Sequence, residues 1–250
     1  MSNAVIMNRY RADLHIHTVL SPCGDLDMSP VKIVEAASFH GLDIIGITDH
    51  NSTHHCELIS KMASRQGIFV LMGAEITTRE EVHCLAFFEK LDTLKEFQNY
   101  IDAALPDTEN DPETFGPQLV VDEYENIIRE EKRLLISALN ISLEQAEKKV
   151  HSLNGIFIPA HINKSRFSIL SQLGFIPFGL KADALEFWGQ GNPESAKLPG
   201  YDGRTPFIRS SDAHFIEQIG SRYSCFEMES RSFENIRKAF RTKGSISFVG

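Results

Sequence analysis

The stretch RADLHIHT, residues 11–18, alternates apolar and polar side chains, while DIIGITDH, residues 43–50, runs apolar before closing on an acid and a histidine. Alternation with a period of two marks a strand with one buried face, and a short apolar run marks a buried strand. Between them, residues 30–40 begin with Pro30 behind Ser29 and stop at Gly41, the start and stop signals of a helix. Strand, helix, strand is the unit from which parallel sheets are built.

Working outward, the unit repeats. A helix spans Thr53 to Gln66 and ends at Gly67, and residues 68–76, 82–88, 155–160, 183–188 and 206–211 read as further strands. Residues 93–104 are helical, and 105–117, rich in Pro, Asp and Glu, form an exposed loop. Helical periodicity over 118–153 predicts two or three helices, so that 89–154 is expected to be a helical cap inserted over the mouth of the fold. A strand near 223–228 and a helix near 232–243 follow. The expectation is an α/β fold, one domain over 1–250, with the strands closed or nearly closed into a barrel.

The 250 residues carry 34 acidic and 25 basic side chains, a formal net charge of -9. Nucleic-acid binders usually show a basic stripe, and none stands out, so long duplex nucleic acid is not expected as a partner; a small anion is. No apolar run is long enough to cross a bilayer, and Met1 to Arg9 lack the apolar core of a signal peptide. A cytoplasmic location without membrane attachment is expected. Cys23, Cys56, Cys84 and Cys225 form no close pair and read as free thiols, Cys84 and Cys225 in the core. Oligomeric state is not legible.

In α/β barrels the reactive groups sit at the C-terminal ends of strands, and the polar residues of this chain gather there. His15 and His17, two apart, share a strand face; Asp49 and His50 end the next strand and Glu75 the third. His83 lies on the fourth strand, His161 ends the fifth, and Asp212 and His214 close the series. A lone strand-end histidine is usually a hydrogen-bonded core residue, and Asp49 alone reads as a helix cap. So many polar ends on one buried sheet point to a shared task, and imidazole with carboxylate is the ligand set of zinc, manganese and iron. His40 and His151 fall in the last turns of helices, and His54 and His55 read as solvated.

The motifs His15-Ile16-His17, Thr48-Asp49-His50, Gly73-Ala74-Glu75, His83, Pro159-Ala160-His161 and Ser211-Asp212-Ala213-His214, in this order, resemble the PHP (polymerase and histidinol phosphatase) superfamily. The resemblance implies a distorted (β/α)7 barrel with two or three divalent metal ions. It implies that His15, His17, Glu75 and Asp212 hold one ion. Glu75, His83 and His161 would hold a second, and His50 and His214 would help hold a third. The usual loop ligand of the third site falls on Pro22, which leaves Asp25, Asp27 or Cys23 to complete it. Asp13 reads as support behind a ligand. The implied activity is hydrolysis of a small phosphate ester, a phosphomonoester or nucleotide-like molecule, by metal-activated water. Lys164 and Arg166 are expected to neutralise phosphoryl charge, with Arg209 and Arg222 as weaker candidates, and His214 to protonate the leaving oxygen. Phe187, Trp188 and Gln190 are placed to meet a base. Two alternatives stand beside this reading. Amidohydrolase-type C–N hydrolysis also starts from an HxH strand but commonly bridges its metals through a strand-end lysine, where this chain has Glu75. A non-catalytic metal-binding sensor module is the other, and a nearly intact ligand set speaks against it.

Overall fold

In the computed structural model, which describes residues 6–191 and 193–249, the alternating stretch near the start becomes strand β1 (Asn8–Ile16). Helix α1 (Pro30–Phe39) begins as its sequence dictates, with Pro30 in the first turn and the Ser29 hydroxyl accepting the Lys32 N–H. It leads to β2 (Ile44–Ile47), parallel to β1. Helix α2 (Cys56–Ser64) then crosses to β3 (Phe69–Thr77), parallel to β2, and β4 (His83–Phe88) turns back antiparallel to β3.

The next segment departs from the expected helices. Helix α3 (Leu91–Ala104) and a single turn α4 (Pro112–Phe115) precede a two-stranded hairpin, β5 (Leu119–Val121) with β6 (Ile127–Glu130). One helix of the predicted set follows, α5 (Leu143–Ser152). The reason for the hairpin is local. Val120-Val121 and Ile127-Ile128 favour extended backbone, and between them Asp122 accepts the N–H groups of Tyr124 and Asn126, an Asx turn that reverses the chain.

Strand β7 (Ile156–Pro159) pairs antiparallel with β4. After α6 (Ile169–Leu173), β8 (Leu185–Glu186) and β9 (Phe207–Ile208) are two residues long and parallel to each other. Backbone bonds close the ring. Asp183 N–H donates to Phe157 O (2.9 Å) and Ile162 N–H to Glu186 O (2.8 Å), joining β7 to β8. His17 N–H donates to Ala213 O (3.0 Å) and Ala213 N–H to His15 O (3.1 Å), returning the chain beyond β9 to β1. The strands β1, β2, β3, β4, β7, β8 and β9 thus make a closed, distorted barrel: β4 runs against its neighbours and two members are minimal. The first half of β1 pairs instead with β10 (Tyr223–Met228), which carries β11 (Ile246–Val249), and helix α7 (Phe233–Arg241) lies between them in sequence.

Two apolar cores flank the strands, as the period of two requires. Leu14, Ile44, Leu71, Leu85, Ile158 and Ile208 pack on one face with Ile236 and Phe240 of α7, while Ile45, Ile47, Val70 and Met72 pack on the other with α1, α2 and α3. Gly46 and Gly73 permit close backbone approach. A Cβ on Gly46 would lie 2.4 Å from Leu14 O, and one on Gly73 2.1 Å from Ala86 O, so neither position accepts a side chain without moving a strand. Among the described residues no helix is long and apolar enough to cross a membrane. Cys23, Cys56, Cys84 and Cys225 are free thiols; Cys56 is buried with the other two core cysteines, its Sγ donating to Gly73 O.

Candidate metal centre

Every polar strand end singled out in the sequence arrives at one end of the barrel. His15 lies at the end of β1 and His17 just beyond it; His50 follows β2; Glu75 sits near the end of β3. His83 begins β4, and because that strand is reversed its first residue meets the others: it lies opposite Thr77 in the register. His161 follows β7, and Asp212 and His214 follow β9. His15, His17, His50, Glu75, His83, His161 and Asp212 are all buried.

The distances are those of a ligand cage. His15 Nε2 lies 3.2 Å from His17 Nε2, 3.3 Å from Glu75 Oε1 and 3.3 Å from Asp212 Oδ1. His17 Nε2 lies 3.4 Å from Glu75 Oε2 and 3.5 Å from Asp212 Oδ1. Four donors about 2.1 Å from a tetrahedral ion are about 3.4 Å apart, so these separations match the edges of such a cage. On its other side Glu75 Oε1 receives His83 Nδ1 at 3.0 Å and His161 Nε2 at 3.1 Å. His50 Nδ1 is 3.2 Å from Glu75 Oε2 yet makes no hydrogen bond, a buried nitrogen left for another partner. Among the described residues, three groups have donor atoms close enough to hold a metal ion together: His15, His17 and Asp212; His50, Glu75 and His83; His17, His50 and His214.

Outer hydrogen bonds turn the rings. Glu186 accepts from His15 Nδ1 (3.0 Å), which leaves the Nε2 lone pair facing the cage, and also accepts the His161 N–H (2.8 Å). Ser21 Oγ takes His17 Nδ1 at 3.0 Å and donates to Asp49 Oδ1 at 2.7 Å. His214 Nδ1 donates to the Asp212 carbonyl (2.9 Å), so its Nε2 is an acceptor suited to a metal and unable to give a proton to a leaving group. Asp13 accepts the N–H groups of Ser211 and Gly220 and so fixes the loop that presents Asp212.

Electrostatics follow the same division. Burial pulls the Glu75 carboxyl upward, but the imidazoles of His83, His15 and His50 outweigh it and hold Glu75 well below the carboxylate range. Asp212 is depressed likewise, burial being overcome by His15 and His17. Burial, with repulsion from His17, pushes His214 down to about 4, and burial lowers His50, so both rings are neutral, the form that binds metal. The backbone is strained at the site: Asn51, His161 and Asp212 have φ of 47°, 28° and 53°, in the left-handed region that side chains disfavour.

Several residues sit differently from their sequence-based expectations. Asp49 caps no helix; its carboxylate accepts from Thr18 N–H, Thr18 Oγ1 and Ser21 Oγ and braces the turn after β1. His55 is buried rather than solvated, linking Thr18 Oγ1 (2.7 Å) to the Val121 N–H (3.0 Å) of the hairpin. Asp25 stands outside the three groups, its carboxylate accepting the Asp27 N–H. Trp188 lines the cavity with two cations against its ring, Lys164 Nζ 3.8 Å and Arg222 Cζ 4.0 Å from the ring centre. Lys164 also pairs with Asp212, and Arg166 is exposed at the mouth. Arg209 is buried, donating to the Gly191 carbonyl and lying over Phe248. Glu186 escapes sequence reasoning; its one signal is a carboxylate inside the otherwise apolar strand DALEFW. From the 89–154 excursion, Ile136 reaches the wall of the cavity above the site, which measures about 590 Å³.

The PHP domain family matches residues 13–159, and a second family described as PHP-associated matches residues 204–243. The chain belongs to the PHP domain family. Within reach of this PHP chain is YqxK of Bacillus subtilis, 26% identical over 94% of the chain and 62% of that relative. The lesion-specific endonuclease PfuEndoQ of Pyrococcus furiosus shares the fold with a TM-score of 0.68 at 21% identity, over 96% of this chain and 58% of that one. A two-domain protein from Bacteroides vulgatus, described as containing a predicted PHP-like metal-dependent phosphoesterase, superposes with a TM-score of 0.58 at 17% identity, over 97% of this chain and 65% of that one. The chain therefore spans about three fifths of the length of YqxK and of PfuEndoQ.

One expectation is overturned. The acidic net charge does not exclude long duplex nucleic acid from this fold, since endonuclease Q, of TM-score 0.67 to this chain, is described in complex with a 27-mer duplex bearing an abasic lesion at its active site. Net charge fails as a guide because it sums the whole surface. Binding responds to the local field, and at the mouth of this PHP barrel that field includes Lys164, Arg166 and Arg222 beside Trp188.

Proposed function

We propose that this PHP protein is a metal-dependent phosphoesterase. The observation that carries the reading is the cage of His15, His17, Glu75 and Asp212, with donor atoms 3.2 to 3.5 Å apart and outer hydrogen bonds that aim both imidazole lone pairs inward. The donor set fits a divalent ion: His50 and His214 kept neutral by burial, two carboxylates kept ionised, and a buried His50 nitrogen without a hydrogen bond. His15 and His17 fit it too: against the pull of burial, Glu186, Asp212 and Glu75 raise their proton affinity, which reflects a pocket built to hold positive charge. Bound at this centre, zinc, manganese or iron would supply a Lewis acid and an activated water. Glu75, reached by His15 and His17 on one side and His83 and His161 on the other, would be the carboxylate shared between neighbouring ions. His50 and His214, with His17, would hold a further ion.

The residues of the chain do the rest. Lys164 and Arg166 line the cavity wall and supply positive charge to phosphoryl oxygens. Lys164 is held in place by Asp212 and Trp188, which lowers the entropy lost when it meets an anion. The barrel strands and Phe167, stacked on the His83 ring at 4.8 Å, keep bulk water from the inner face of the site. The cavity admits a small phosphate ester, and its open mouth leaves room for a phosphodiester within a longer chain, the chemistry of the endonuclease that shares this fold.

The test is elemental analysis of the purified protein, run with hydrolysis of a phosphomonoester, a simple phosphodiester and a duplex carrying an abasic lesion. Two or three ions per chain with turnover of at least one substrate are expected. His17→Ala and Asp212→Ala should each remove both metal and turnover. Turnover retained in either variant, or bound metal with none of the three substrates cut, would overturn the reading.

A further inference from the structure

The barrel has a second concavity at its opposite end. It measures about 500 Å³ and opens between the beginnings of β7, β8 and β9 and helix α7, bounded by Gly155, Asp183, Thr205 and Arg237. The candidate metal centre lies beyond the ends of the same strands, so the two sites are separated by the length of the barrel and share no residue.

Four cations border this hollow: Lys181, Arg204, Arg237 and Arg241. Its two carboxylates are already engaged. Asp183 Oδ2 accepts the Phe157 N–H at 2.9 Å and pairs with His151 Nε2 at 3.0 Å. Asp202 accepts the N–H groups of Arg204 and Thr205, at 2.8 and 2.9 Å, and the Thr205 hydroxyl. None of the four cations makes a close ion pair among the described residues, although the Asp202 carboxylate feels the charge of Arg204. Arg237 Nη1 donates to the Asn154 carbonyl, but its Nε is buried without any partner. In a chain of net charge -9, unpaired cations around one hollow repel one another, and a buried guanidinium N–H lacking an acceptor is costly.

We propose that this concavity binds a phosphate-bearing small molecule. Guanidinium groups offer paired donors that match phosphate oxygens, and several around one hollow suit a dianion better than a carboxylate. The volume falls in the range of small-molecule pockets, about 300–1,000 Å³, rather than that of a single buried ion. With both carboxylates committed elsewhere, the site holds its ligand and leaves it unchanged.

Calorimetric titration of the full chain with orthophosphate, and separately with the non-hydrolysable methylenediphosphonate, tests this. The Asp212→Ala variant, disabled at the metal centre, is expected to keep binding, whereas Arg204→Gln/Arg237→Gln should bind at least tenfold more weakly. Lys181→Gln and Arg241→Gln, both at exposed positions and safe for folding, should each weaken binding several-fold. Tighter binding of the diphosphonate than of orthophosphate would assign the hollow to an organic phosphate, and the reverse to free phosphate. Binding lost in Asp212→Ala, or unchanged in all the Arg and Lys variants, would overturn the proposal. Failure of the phosphoesterase reading leaves it untouched, because no arm of the test reads turnover.

Discussion

The two halves of the metal centre are built differently. His15, His17, His50, Glu75 and His83 stand on or next to β1 to β4, strands of four to nine residues paired in one sheet, with a register shift between Asp13 and Ile16 in the β1–β2 ladder. His161, Asp212 and His214 stand on loops after β7 and β9, beside strands as short as two residues, and two of the three sit at positive φ. In the first half the sheet itself aims the side chains. In the second half aim comes from buried polar anchors: Glu186, which also steadies His15 of the first half, holding the His161 backbone, and Asp13 holding the backbone before Asp212. Precision in an active site can thus come from ladder hydrogen bonds or from single carboxylates, and the second kind is the more easily broken.

The substitution with the largest effect should be Glu75→Gln, because Glu75 is the group both halves touch. An amide there removes a charge and places N–H donors against imidazole nitrogens. Metal content by elemental analysis should fall by at least one ion per chain, with turnover reduced more than about a hundred-fold, beyond what outer-sphere changes cost. Full metal content in this variant would dissolve the division into halves bridged by one carboxylate.

A sharper comparison pits the two outer carboxylates against each other. Glu186→Gln should lower metal affinity about 10–100-fold, the usual cost of an outer partner of a metal-bound histidine. Asp49→Asn, on the ladder-supported side, should cost less, since β1 and β2 still aim His17 and His50 when the Thr18 turn is weakened. Competition with a chromogenic chelator measures both. Equal losses would mean that the ladders contribute nothing to ligand placement.

The same division decides what is legible in the sequence. Ligands on long strands announce themselves by a period of two and by strand-end position, so His15, His17 and Glu75 can be placed together from the sequence alone. Asp212 and His161 depend on motif order, because strands of two residues leave no periodic signal. Glu186 escapes for a related reason: one carboxylate in an apolar stretch reads as the solvent side of a strand until closure of the barrel buries it. The hairpin at 119–130 reads as helix because its strands are short and β6 is largely exposed, so that its acidic turn mimics the charged face of a helix. His55 looks solvated beside His54, and what buries it is Val121, distant in sequence. Contacts of that kind are made by the tertiary fold and have no local code.

His55 also yields the smallest and most discriminating prediction. Val121 N–H donates to His55 Nε2, so Nδ1 carries the proton and donates to Thr18 Oγ1, whose hydroxyl donates in turn to Asp49. Asp49 anchors Ser21, and Ser21 meets His17. His55→Asn keeps a donor near the Nδ1 position and loses the acceptor for Val121; His55→Gln does the reverse. If the ring serves the metal centre, the Asn variant should hold metal within about twofold of wild type while the Gln variant loses several-fold, a small cost because the ladders still support this half. If the ring serves chiefly to hold the hairpin, thermal unfolding should separate the two variants in the opposite order and metal affinity should not distinguish them. A result of the second kind would confine Asp49 and His55 to fold stability and leave the strands alone as the device that aims His17.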